Sequence, residues 1–266
     1  MSRRDESHDF VAEDGLLYCG ICGKHRQLRL ANPLFGERIV MTMCKCDEAE
    51  EAAKKAAQAA EDARDRVKRL RAEGMSSPDY AAMVFSADDG RDGRLFEMQT
   101  YVNAWERAID KNAGLLFFGP VDGGKTFWAA CIANALMEKG VSALITTVPN
   151  LIAAMHSDFD GARARILEKI STVSFLVLDD VGYERRTQYA DEKLFEIIDA
   201  RYRAKKPLIV TTNLSLDEMR NPSDMAYQRA FGRIIEMCTP IFFPAVGRRV
   251  QIARAKAEVT RKIMGG

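Results

Sequence analysis

The segment GPVDGGKTFW, residues 119–128, restricts this chain to few folds. Its frame is G-x-x-x-x-G-K-T, with Gly119, Gly124, Lys125 and Thr126 in the fixed positions and Pro120, Val121, Asp122 and Gly123 between them. Such a loop turns its backbone N–H groups around the phosphates of ATP or GTP, and it needs a strand leading in and a helix leading out. Both are legible. "LLFF" (115–118) precedes the loop, and "KTFWAACIANALMEKG", opening with Lys125, Thr126 and Phe127, reads as an amphipathic helix ending at Gly140. Lys125 is then placed to reach the β- and γ-phosphates, and the Thr126 hydroxyl to bind Mg²⁺. One residue departs from this chemistry: Asp122 brings a carboxylate to a phosphate site. About 4 Å from a phosphate charge it would cost ~4 kcal/mol at an effective dielectric of ~20. The expectation is therefore an outward-facing Asp122, with the loop amides making the contacts and nucleotide still bound.

Downstream, apolar runs alternate with helical patterns. The candidate strands are "LLFF" (115–118), "SALITTV" (142–148), "SFLVL" (174–178), "PLIVTT" (207–212) and "IFF" (241–243). This is the pattern of an α/β fold, a parallel sheet covered by helices on both faces. A buried parallel strand delivers the residues at its C-terminal edge to the ligand crevice. "FLVLDDVG" (175–182) brings Asp179 there to hold Mg²⁺, and Asp180 to polarise an attacking water. "PLIVTTN" brings Asn213, for which two readings stand: an amide that bonds the γ-phosphate or lytic water, or the cap of a helix opening in "NLSLDE". "YQRAFGRIIEM" sets Arg229 and Arg233 on one helical face, and "GRRV" holds Arg248 and Arg249. These form a solvated basic surface or contact nucleotide in cis or across a subunit interface; an arginine finger is worth ~10³–10⁵ in turnover.

The front of the chain is different. Cys19, Cys22, Cys44 and Cys46 crowd residues 1–46, whereas Cys131 and Cys238 stand alone in apolar surroundings as core residues. Clustered cysteines in a reducing compartment point to metal, and four thiolates complete a closed tetrahedral Zn²⁺ site, with His25 as a possible substitute for one. The spacing Cys-x-Cys of the second pair is tighter than the common one. Residues 47–73 are almost purely Ala, Glu, Asp, Lys and Arg, with Ala49, Ala53, Ala56, Ala60, Ala63, Val67 and Leu70 forming a thin seam and Glu50–Lys54, Glu51–Lys55 and Asp62–Arg66 pairing at i,i+4. They read as a solvated spacer helix, residues 74–79 as a linker, and 80–266 as the nucleotide-binding domain. A net charge of +1 over 266 residues argues against strong non-specific DNA binding by the monomer. Arg163, Arg165 and Lys169 form a local cluster that reads as a solvated helix face or as a DNA contact. The charged N-terminus and the lack of a long apolar run imply no signal peptide, no membrane span and a cytoplasmic address.

Taken together, "GLLFFGPVDGGKTFWAACIANAL", "FLVLDDVGYERRTQYADEKLFEIIDARY", "KPLIVTTNLS" and "RIIEMCTP" resemble the bacterial replicative-helicase loaders of the DnaC/DnaI-like AAA+ family, over roughly residues 80 to 255 in order. The cysteine-rich front end resembles the zinc-bearing one of phage and Gram-positive members. The resemblance implies an AAA+ ATPase with ATP, Mg²⁺ and Zn²⁺ bound, and self-association through AAA+ interfaces. It places the strand ending in Asn213 between the loop strand and the acidic strand, a finger at Arg229 or Arg233, and a second sensor arginine at Arg248 or Arg249. Partners implied are a hexameric replicative helicase and single-stranded DNA, with ATP acting as a switch and Asp180, shorter than the usual glutamate, hydrolysing it slowly. The family usually has glycine at position 122. The nearest alternative is an IstB-like transposition helper ATPase, which typically lacks a four-cysteine front end. A second is a non-hydrolysing adaptor.

Overall fold

The stretch around the first cysteines folds as short strands in a computed structural model that describes residues 9–32, 36–90, 92–156, 161–182, 187–221, 225–245 and 247–264. β1 (Phe10–Val11) pairs antiparallel with β2 (Leu17–Tyr18), and β3 (Gln27–Asn32) forms a hairpin with β4 (Gly36–Met41). Helix α1 (Lys45–Gly74) follows, with Asp47 and Glu48 in its first turn and Arg71 in its last, complementing the helix dipole. Residues 51–66 are exposed throughout, as a solvated spacer requires. The pairs Glu50–Lys54 and Glu51–Lys55 form at 2.9 and 3.7 Å. The third expected pair is replaced: Asp62 accepts from Gln58, and Arg66 donates to the Gly140 carbonyl.

Two compact units, Met1–Asp65 and Arg66–Gly266, meet inside α1. The expected division at a 74–79 linker is thus displaced, for a physical reason. Gly74 lies so close to the sheet that a Cβ there would sit 2.0 Å from the Ala143 carbonyl oxygen. Met75 makes a parallel bridge with Ile145, and the Ser76 N–H donates to the Ile145 carbonyl. Residues 74–79, expected as a linker, are part of the second unit.

In that unit, α2 (Asp79–Ala82), α3 (Leu95–Asn103) and α4 (Trp105–Asp110) precede a five-stranded sheet. α3 and α4 are separated at Ala104, and Met98, Val102 and Trp105 on them are all buried. The sheet contains β5 (Gly114–Phe118), β6 (Ala143–Thr147), β7 (Phe175–Asp179), β8 (Leu208–Thr212) and β9 (Cys238–Phe242), in the order β6-β7-β8-β5-β9, all parallel. β9 starts three residues earlier than its apolar run because it is an edge strand, where Pro240 is tolerated. Alternate side chains divide the core: Leu116, Leu176, Leu178, Leu208 and Val210 face one layer of helices, and Leu115, Phe117, Phe175, Val177 and Ile209 the other. The first layer is α6 (Val148–Met155), α7 (Ala162–Thr172), α8 (Gln188–Ala204), α9 (Leu216–Arg220) and α10 (Met225–Met237). The second is built on α5 (Lys125–Glu138). This helix, expected to be amphipathic, is buried nearly all round because α2 and α3 cover its outer side. α11 (Arg248–Ile263) ends the described chain. No helix among the described residues is long and apolar enough to cross a membrane.

Candidate nucleotide site and metal centre

β5 runs into the glycine-rich loop, and Gly124 precedes α5 at φ 84°, a left-handed turn that glycine makes without strain. Gly119 is required for a second reason: at φ 130° its Cβ would lie 2.3 Å from the Phe243 carbonyl oxygen. The Lys125 ammonium is held at the loop by the carbonyls of Gly119 and Pro120, 2.8 and 2.7 Å away. Pro120 and Val121 are exposed, and Phe127 is half-buried with its ring edge-on to Trp128. Asp122 sits at φ 68° and is half-buried. That backbone explains why glycine is usual here; aspartate is one of the few other residues that visit this region. The residue expected from sequence to face outward is half-buried.

β7 brings Asp179 to the sheet edge beside the loop. It is 5% exposed, and its Oδ1 accepts from the Thr126 hydroxyl at 2.9 Å and the Thr211 hydroxyl at 2.6 Å. Its Oδ2 accepts from the Tyr80 hydroxyl at 3.1 Å. Burial, then the Asp179 charge, push the Tyr80 hydroxyl well above the usual phenol range, so it remains a donor. Thr126 and Asp179 present hard oxygen donors side by side, a set that fits Mg²⁺. Asp180, by contrast, is exposed at φ 54°, with its N–H donating to Thr211 Oγ1 at 2.9 Å. Thr211 and Tyr80 escape sequence reading. The alternation of β8 marks Thr211 only as an inward polar residue, and nothing in its local pattern marks Tyr80.

β8 lies between β5 and β7, and Asn213 directly follows its last residue. The two readings of Asn213 separate here. Ser215 caps α9, with Ser215 and Glu218 forming a reciprocal capping box, and Asn213 is exposed beside Val181, Gly182 and Leu214. The arginines also separate. Arg233 forms an ion pair with Asp199 and stacks over the rings of Phe195 and Tyr202, at 4.7 and 5.0 Å. Arg229 is exposed, on a shallow cavity of about 360 Å³ with Gln188, Glu192, Phe195 and Met225. Arg248 and Arg249 open α11, and their side chains lie outside the described ones. Of the candidate DNA cluster, Arg163 is paired with Glu196 at 2.6 Å and Lys169 donates to the Glu73 carbonyl at 2.7 Å, leaving Arg165.

In the first unit, the sulfurs of Cys19, Cys22, Cys44 and Cys46 all lie within 4.8 Å of one another. Tetrahedral Zn–S bonds of about 2.3 Å place sulfurs ~3.8 Å apart, so the set fits Zn²⁺. The first pair lies on a knuckle whose Cys22 and Ile21 N–H groups hold the Cys19 thiol down at about 6. The second pair spans the start of α1, which accounts for its tight spacing, and the Cys44 N–H donates to Asp47 in the helix's first turn. Hydrogen bonding to Cys22, burial and the neighbouring sulfurs' charge push Cys46 up to about 12. His25 is not in the set; its ring packs against Tyr18 at 4.4 Å, tilted by 41°. Arg26 reaches Asp47 at 3.3 Å and Asp9 at 2.8 Å, bracing the cluster from behind.

A parallel sheet with a phosphate loop, an acidic strand and an intervening polar-ended strand defines a P-loop nucleotide-binding fold of the AAA+ kind. The family described as IstB-like ATP binding protein matches residues 55–230, and the chain belongs to it. The replicative helicase loader DnaC of Escherichia coli (strain K12) is 31% identical over 134 residues, 49% of this chain and 54% of that protein. The insertion sequence IS1162 putative ATP-binding protein of Pseudomonas fluorescens is 28% identical over 148 residues, 55% of this chain and 63% of that one. The crystal structure of DnaI superposes with a TM-score of 0.52 at 28% identity, over 64% of this chain and 96% of that chain. The chain spans about half the length of the DnaC it matches.

Proposed function

We propose that this protein is an ATP-controlled loader that delivers a hexameric replicative DNA helicase to single-stranded DNA. Residues 119–127 cradle the phosphates, with the backbone N–H groups of all but Pro120 available as donors, and the Lys125 ammonium exchanges the carbonyls of Gly119 and Pro120 for β- and γ-phosphate oxygens. Thr126 and Asp179 would hold Mg²⁺, which neutralises phosphate charge when bound. Asp180 at the exposed edge orients and polarises the attacking water, Asn213 bonds the γ-phosphate or that water, and Arg229 reaches a neighbouring subunit's nucleotide. Arg249 serves as second sensor. Asp180 is one methylene shorter than glutamate, so hydrolysis is slow and ATP works as a switch.

One observation favours the loader over a transposition helper: the four-sulfur cluster ahead of the ATP-binding unit. A Zn²⁺ there is structural, because four protein ligands leave no position for substrate. The test is mass photometry of the full chain with the replicative helicase of its host, in ATP and in ADP. A discrete complex whose population changes with nucleotide supports the loader. No complex in either nucleotide overturns it and turns the search to a transposase partner.

A further inference from the structure

A carboxylate offers about four lone-pair positions, two on each oxygen. On Asp179 three are taken among the described residues: Thr126 and Thr211 fill Oδ1, and Tyr80 takes one position on Oδ2. A single position, beside the Tyr80 hydroxyl, remains for the hydration shell of a metal ion. Tyr80 is also the end of a chain of hydrogen bonds. Asn134, buried on the loop helix α5, donates to the carbonyls of Tyr80 and Met83 at 2.7 and 2.9 Å. Its own Oδ1 accepts from Arg71 of α1 at 2.9 Å, and Arg71 also pairs with Glu138 at 2.8 Å.

We propose that Tyr80 is a positioning residue for Asp179: it fixes the one lone pair through which the carboxylate meets the magnesium shell, and it ties that carboxylate through Asn134 and Arg71 to the last turns of α1. The inference rests on the nucleotide reading above and goes beyond it, since it makes residues 66–83 a reporter of magnesium-bound nucleotide. The Tyr80 hydroxyl already donates to Oδ2, so it would share that oxygen with any magnesium-bound water held there. The α2 turn carrying the hydroxyl, and the Asn134–Arg71 contacts behind it, tighten when the shell is in place.

The test uses the full chain and a fluorescent ATP analogue titrated across Mg²⁺ concentrations, with wild type, Tyr80→Phe and Arg71→Met. Removing a group that orients a metal-holding side chain typically costs ~10–100-fold in metal affinity. Tyr80→Phe, which keeps the buried ring, should raise the Mg²⁺ needed for half-maximal binding about tenfold, at the lower end of that range. It should leave affinity in EDTA within about twofold, since no bond to the phosphates is lost. Hydrogen exchange across 66–83 should be slowed by Mg²⁺–nucleotide relative to nucleotide in EDTA in wild type. That difference should vanish in Tyr80→Phe and in Arg71→Met, the latter keeping its Mg²⁺ dependence. Equal Mg²⁺ dependence in wild type and Tyr80→Phe overturns the proposal while leaving the nucleotide reading intact. Equal weakening with and without Mg²⁺ makes Tyr80 a general packing residue and also overturns it. A wild type that binds no nucleotide overturns both.

Discussion

If the four cysteines hold Zn²⁺ as proposed, removing it should unfold the first unit and leave the second standing. The reasoning is arithmetic. Among the described residues of Met1–Asp65, the buried apolar side chains are Leu16, Cys19 and Cys44, whereas Leu30, Ile39 and Met41 of the hairpin are more than half exposed. Full burial of Leu16 contributes ~2 kcal/mol. β3 and β4 order six residues each, and at ~1–2 kcal/mol per residue that costs at least ~12 kcal/mol. Ladder hydrogen bonds return ~1 kcal/mol apiece, which leaves a shortfall of several kcal/mol. A four-thiolate Zn²⁺ contributes ~10–16 kcal/mol at neutral pH, enough to reverse the sign. Native mass spectrometry should therefore find one zinc per chain. A strong chelator should make residues 9–44 protease-sensitive and collapse their amide NMR dispersion, while the melting of Arg66–Gly266 stays put. Cys44→Ser should act like the chelator. A metal-free chain whose hairpin keeps its dispersion would refute the argument.

Asp122→Gly relieves a left-handed aspartate and removes a carboxylate from the loop. It should raise stability by up to ~1 kcal/mol and tighten ATP binding by a few-fold, by calorimetry; a tenfold loss would show that the carboxylate has a positive role. Arg201 is fully buried and donates to the carbonyls of Ile170, Val173, Ser174 and Pro207. With ~1 kcal/mol lost at each acceptor and part returned by apolar burial, Arg201→Met should cost ~3 kcal/mol, roughly 6–12 °C in Tm for a unit this size. A shift below about 2 °C would mean the acceptors find other donors. Arg229→Ala should lower turnover of the assembled protein on the order of 10³-fold without moving Tm. Arg233→Ala should lower Tm through its lost pairing with Asp199 and the aromatic rings, and the reverse pattern would exchange the two roles.

The parallel sheet was legible because each of its strands is an apolar run flanked by breakers, and because its two functional edges end in acids or an amide. What was not legible is what depends on close approach. Nothing local to Gly74 marks it as the residue that lets α1 dock on Ala143, so the boundary was expected at the glycine and serine that follow rather than inside the helix. The charge of Asp122 is legible in sequence, whereas its φ of 68°, an equal part of the problem, is not. Asn213 looked like a cap because "NLSLDE" contains two polar candidates; only the hydrogen bonds between Ser215 and Glu218 decide which one caps. Arg229 and Arg233 share a helical face in sequence, but the Asp199 carboxylate and the rings that hold Arg233 come from α8.

Asp179 and Asp180 are adjacent in sequence and opposite in treatment. Asp179 is buried and held by three hydroxyl donors from three segments, whereas Asp180 is turned out to the surface by its left-handed backbone. Three donors spend most of the carboxylate's acceptor capacity on fixing its orientation, which favours a single, well-defined arrangement for bound magnesium and its nucleotide. On the proposed reading, turnover depends on the other acid, which is short and exposed. A site built this way gains more from binding than from hydrolysis, because the bound state is well specified and its breakdown poorly assisted. On the proposed reading this is the property a loader needs: ATP must hold one arrangement long enough for a partner to respond, and rapid hydrolysis would shorten that interval. The same hydroxyl that orients Asp179 belongs to the segment continuous with α1, so the strongly specified half of the site is also the half connected to the rest of the unit.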